Sequence, residues 1–355
     1  MRKKKHHFIP KFILRNFSVD NGIFQYRHDS GKIFKSSIED AFAKKDLNTI
    51  VDNNKEEHTN LIEDTYDKYF EHPASLSIQK ILNDIEKIPP SGKDFSADDF
   101  LTLLRFTILS NLRTPYTMAA THHATRVSAY GIVLLKYFMD FGTVNFPEEM
   151  DIDKGMLFGH LEDFDESTRL LADLKLTLYY HRLPDCYFII PDQFAVISSP
   201  NNCKFSDPDL KIYLPMSSNV VVCFERIERA FSKGTCEIDK NFIEKINLYF
   251  LNNSYDSVGC QNKAYLTEFI RRYKNKFTPL TKFNPYKGFS KIKQQIQFEI
   301  ISKLALNNSN IDIEKGFYTH LNNKHEFKIL NESEFQAEVH KLKSTININK
   351  RITLL

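Results

Sequence analysis

The run His6-His7-Phe8-Ile9-Pro10-Lys11-Phe12-Ile13-Leu14-Arg15-Asn16-Phe17 gathers more chemistry than any other segment of the chain. Histidine titrates nearest neutrality and serves as a general base or a metal ligand. Lysine and arginine close by hold phosphates. His7 and His6 are therefore the leading catalytic candidates, and Lys3, Lys4, Lys5 and Arg15 the neighbouring nucleic-acid contacts. A carboxylate at Glu63 or Asp64 would complete the chemistry, with His7 and Glu63 holding a divalent ion, Mg²⁺ or Mn²⁺. The plain alternatives are that the two histidines pin the N-terminal segment by hydrogen bonds and that the acids merely open a helix. Arg113 ends a helix in Leu112-Arg-Thr-Pro115. It contacts a phosphate or neutralises last-turn carbonyls.

A second segment is basic. From Phe269 to Phe298 there is no Asp or Glu, and Arg271, Arg272, Lys274 and Lys276 alternate with Tyr273 and Phe277. Cations neutralise phosphates and aromatic rings stack on bases, so this reads as a nucleic-acid track. The alternative is a solvated basic face, or a partner for the acidic stretch 145–173. His122, His123, His160 and His181 default to structural roles, and Asp192 to a turn.

The elements that position these residues follow from periodicity. Residues 11–18 suit a short helix, and alternating runs flank Asp29-Ser30-Gly31 as a hairpin. From about Glu56 a helical period takes over. Ser96 followed by Asp99 reads as a helix cap with an acid three residues on. Phe100, Leu103, Leu104, Thr107 and Ile108 mark one helical face, and Val127, Tyr130, Leu134, Phe138 and Phe141 mark another. After the acidic stretch the period becomes two. Leu174–Tyr180 alternate, residues 187–190 and 194–197 are joined by Pro191-Asp-Gln as a turn, and 220–224 read as a buried strand. Helices return at 240–253 and 260–276. The expected fold is α+β, a central helical bundle with a small, mostly antiparallel sheet. Residues 1–260 form the core, and 261–355 a basic helical or mixed extension packed on it.

The chain has 355 residues, with 42% hydrophobic and 26% charged, which suits a packed core. A net charge of +3 excludes a uniformly basic binder. Five scattered cysteines argue against a disulfide framework or a Cys-rich zinc module. With 11 glycines and no Gly-rich phosphate loop, no nucleotide cofactor is expected. No apolar stretch is long enough to span a bilayer, so the expectation is a cytoplasmic chain with no membrane partner. Oligomeric state stays open, a homodimer included.

The N-terminal run resembles the opening of the domain of unknown function 4238 family, found mainly in bacteria. His7, Pro10, Leu14 and Phe17 fall on its pattern. Residues 43–49, Leu61-Ile62-Glu63, Leu112-Arg-Thr-Pro115, Ile212–Ser217 and Ile246-Asn-Leu resemble later family segments in order, over about residues 5–260. At Val196-Ile-Ser-Ser-Pro200, Ser198 stands where members often carry Asp. The family name implies no activity. His-His-x-x-Pro is also similar to the opening of HNH-type endonuclease motifs, with Asn48 and His58 spaced like their later pair. The gap to Asn48 is longer than usual, and a helix rather than a hairpin is expected after Pro10. Together these readings point to a metal-dependent nuclease or phosphodiesterase, as a phage-defence or toxin-like effector. The alternatives are a non-catalytic nucleic-acid-binding module and a protein-interaction scaffold. The enzyme reading requires His7, Glu63 and Arg113 to meet in one polar cleft.

Overall fold

A computed structural model describes residues 5–45, 47, 50–51, 57–58, 61–87, 90, 95–120, 168, 171–198, 207–226, 233–280 and 337. The chain divides into two compact units, one of residues 1–119 and 153–282, the other of 120–152 and 283–355.

The first strand, β1 (Lys5–His7), leads through Pro10 into a short helix, α1 (Lys11–Arg15). The expected hairpin forms as β2 (Gly22–Arg27) and β3 (Ile33–Ser37). Gly31 sits in its turn at φ 64°, a conformation that costs glycine nothing. Then come β4 (Ala43–Lys45), which pairs antiparallel with β1, and the short pair β5 (Ile50–Val51) and β6 (Glu57–His58).

A broken helical arm follows. α2 (Leu61–Tyr66) runs into a π-helical stretch (Asp67–Glu71) and on into α3 (His72–Ile85). The cause lies in the sequence. Pro73 has no N–H to return to the carbonyl of Tyr69, and its ring crowds that carbonyl. The chain widens one turn just upstream, and the His72 N–H bonds back to the Asp67 carbonyl, the spacing of a π turn. α4 (Ala97–Leu112) starts at the predicted cap. Ser96 Oγ accepts from the Asp99 N–H at 3.1 Å, and the Asp99 carboxylate accepts from the Ser96 N–H at 2.9 Å. Asp99 also accepts from Ser77 Oγ at 2.7 Å and Lys80 Nζ at 2.9 Å, which fastens α4 to α3.

The second half supplies β7 (Lys175–Tyr180), β8 (Ile190–Pro191), β9 (Val196–Ser198), β10 (Lys211–Ser217), β11 (Val220–Glu225) and β12 (Lys233–Glu237). After these come α5 (Lys240–Asn252), β13 (Ser257–Cys260) and α6 (Lys263–Tyr273). Strands β12-β7-β11-β10-β9 make a five-stranded sheet, parallel only between β12 and β7. Strands β3-β2-β13-β8 make a four-stranded antiparallel one. The expectation of a central helical bundle with one small sheet is therefore wrong: the described residues build a five-stranded and a four-stranded sheet beside two two-stranded pairs. The second bundle helix expected from Val127 onward lies outside them. The error has a physical source. Local periodicity identifies a strand but not its partner, and Tyr26 pairs with Val258, far along the chain.

The two runs joined at Pro191-Asp-Gln do not pair with each other, because β8 and β9 join different sheets. Asp192 explains the divergence. It is buried, and its carboxylate accepts the backbone N–H groups of Tyr255, Asp256 and Ser257. That ties residue 192 to the start of β13. Asn247 plays a similar part, accepting from the Ile189 N–H at 3.0 Å and donating to the Tyr187 carbonyl at 2.8 Å. The core between these elements is aromatic: Phe17, Phe100, Phe106, Phe188, Phe194 and Phe224 are fully buried. Among the described residues no helix is long and apolar enough to cross a membrane.

Candidate functional site

The N-terminal segment and the broken helical arm face each other across an open cleft of about 400 Å³. One wall carries His7, Lys11 and Arg15; the other carries Glu63, Asp64, Asp67, Glu71 and His72. The π stretch thus lies in the wall of the cleft, a placement such turns often have at functional sites.

His7 is the best-defined acid–base group there. Its Nε2 lies 3.0 Å from the Ile38 carbonyl. A carbonyl can only accept, so Nε2 carries the proton and Nδ1 keeps the lone pair. Burial lowers the pKa of this half-buried ring below the ordinary histidine value. The Ile38 carbonyl opposes that shift, Lys11 adds to it, and Glu39 and Glu63 oppose it. The result is a neutral imidazole with a fixed tautomer, the form a general base needs.

Arg113 stands behind this cleft. Its side chain is 2% exposed. Nε donates to the Phe8 carbonyl at 3.0 Å, Nη1 pairs with Glu71, and the guanidinium lies 5.5 Å over the Tyr66 ring. Of the expected trio, then, His7 and Glu63 line the cleft, while Arg113 reaches it only through Glu71. His6 is 1% exposed and does not line it.

Among the described residues no group of three His, Cys, Asp or Glu side chains could hold one ion. The pair His7 and Glu63 therefore gains no third such ligand among the described residues.

The other expected contacts are dispersed. Lys3 and Lys4 lie outside the described residues, and Lys5 pairs with Asp40. Arg271 is bonded to Glu268 at 2.8 Å and Arg272 to Glu244 at 2.7 Å. Lys274 and Lys276 are exposed, with Lys276 5.8 Å over the Tyr273 ring. Residues 281–298 of the basic track, Asn48 and most of the acidic stretch lie outside the described residues, as does the side chain of His58. Sequence reasoning missed Lys11, Asp67, Glu71 and His72. The one signal for the last three was Pro73, which breaks the helical run and turns those residues toward the cleft.

No curated protein and no solved structure matches the chain. The residues lining the cleft and the arginine behind it come from the segments that carry the family resemblance: His7 and Pro10, Glu63, and Arg113. Residues 5–264 match the family described as protein of unknown function (DUF4238), and the chain belongs to that family.

Proposed function

We propose that this protein is a phosphodiesterase-type hydrolase acting on nucleic acid, with His7 as general base. One observation carries the reading: distant segments place a neutral, tautomer-fixed histidine, two cations and a second histidine around one polar cleft. Nδ1 of His7 takes a proton from water as its oxygen bonds to phosphorus. Lys11 and Arg15 neutralise the phosphoryl oxygens. The bond to the leaving oxygen breaks, and that oxygen takes its proton from His72 on the opposite wall. Glu63 favours the imidazolium formed in the step, as its effect on His7 requires. A cytoplasmic, defence-type role belongs with this reading; Cys186, Cys223, Cys236 and Cys260 are free thiols, as a reducing compartment favours.

Purified protein should cut at least one of labelled single-stranded RNA, single-stranded DNA or duplex DNA, assayed in EDTA and separately in Mg²⁺ and Mn²⁺. His7→Ala should lower the rate by about 10²-fold or more, with unchanged circular dichroism. Full activity in His7→Ala, or no cleavage under any of these conditions, rejects the reading.

The exposed end of α6 favours a second reading, a non-catalytic binding module. Lys274 and Lys276 follow Tyr273 there, with no acid up to Phe298. Binding to single-stranded oligonucleotides should then weaken steeply with salt and fall further in Lys274→Glu/Lys276→Glu. Binding that ignores salt rejects it.

A further inference from the structure

We propose that Arg113 is a positioning residue, which holds the two walls of the cleft at one spacing and so sets the environment of His7. Its guanidinium bonds both walls at once. Nε holds the carbonyl of Phe8, the residue next to His7, and Nη1 holds Glu71 at the end of the π stretch. Arginine suits this task because its planar fork can serve a carbonyl and a carboxylate together while its face rests on Tyr66. Lysine offers a point charge and no fork.

A purely stabilising role fits the position poorly. A buried ion pair is often matched or surpassed in stability by apolar side chains of similar volume, and its better-attested use is to fix geometry. Here the geometry concerns a helical arm that Pro73 has already broken, so the wall carrying Glu71 and His72 lacks the rigidity of a regular helix. The Arg113 fork replaces that rigidity from behind. The same contacts keep the Phe8 peptide in place, and with it the strand end that presents His7.

The test uses the full-length chain and two variants, Arg113→Lys and Glu71→Gln. Two readouts are followed: hydrolysis, and the His7 titration by NMR. The activity readout rests on His7 being the base; the titration does not. Arg113→Lys should lower kcat by about 10-fold or more and change KM by less than about 3-fold, without lowering the folded fraction. In both variants the His7 midpoint should move up toward the ordinary histidine value by about half a unit or more, as the ring gains water. Lys11, Glu39 and Glu63 are the leading charges on His7. Direct loss of a nearby negative charge would also move the midpoint down, so an upward shift reports displacement. Wild-type titration in both variants overturns the proposal, whatever the activity. If Arg113→Lys fails to fold, Glu71→Gln decides by the same readouts. A wild-type chain that hydrolyses nothing sinks the hydrolase reading and leaves the titration to judge Arg113.

Discussion

Two sets of arginines were candidates for phosphate contact, and the molecule uses them differently. Arg113 is enclosed between β1, the π stretch and α4, and bonds residues far from it in sequence. Arg271 and Arg272 stand on the solvent side of α6 and pair with Glu268 and Glu244. The contrast teaches that burial decides what a guanidinium does. Desolvated, Arg113 aims Nε and Nη1 at fixed acceptors and becomes a joint, although its Nη2 is buried without a partner; in water, a guanidinium exchanges partners cheaply and remains available to a ligand.

The sharpest way to break that contrast is Arg113→Ala. It leaves Glu71 without its cation and should lower unfolding free energy by about 3–5 kcal/mol, read by urea denaturation. A loss as small as that from an exposed arginine would erase the distinction. Next is Asp99→Ala on the same helical wall, which removes the reciprocal cap and the contacts to Ser77 and Lys80. The expected loss is about 2–3 kcal/mol. Its pH dependence adds a check. Burial pushes the Asp99 carboxyl up, but the hydrogen bonds from Ser96, Lys80 and Ser77 win and hold it well below the usual carboxylate range. A depressed pKa gives stability that is present above the unfolded-state value and lost as pH falls toward the folded one. Wild type should therefore lose more stability below about pH 4 than Asp99→Asn does; parallel acid curves would contradict this.

A smaller effect concerns His7. Its lowered pKa means that the acid limb of the rate profile should have its midpoint below the ordinary 6.5. A midpoint above it would show that the ring is not held neutral. The smallest effect belongs to the exposed arginines. Arg271→Ala and Arg272→Ala should leave the melting midpoint within error of wild type, because solvent-exposed pairs add little. A clear drop in either would mean that α6 depends on its surface pairs as the cleft depends on Arg113.

Much of the local structure was legible. The hairpin about Gly31, the Ser96–Asp99 cap and the strands 175–180 and 220–225 follow from spacing and turn chemistry, which act between near neighbours. The residues of the cleft were legible in part: His7, Glu63 and Arg113 stood out by type. Their division of labour did not, since exposure depends on which segments cover a side chain. Asp192 shows the same limit. It reads as a turn residue beside Pro191, yet it anchors the N–H groups of Tyr255, Asp256 and Ser257.

The sequence by itself determined the hairpin about Gly31, the cap that starts α4, and which side chains could do acid–base or phosphate chemistry. Tertiary structure alone decided that the strands pair into five- and four-stranded sheets, that His7 is neutral with its proton on Nε2, and that Arg113 is a joint behind the cleft. The reason is physical. Propensity, capping and turn preference are set by bonds between near neighbours, whereas strand partnership, desolvation and the acceptors offered to a buried donor come from residues that only folding brings together.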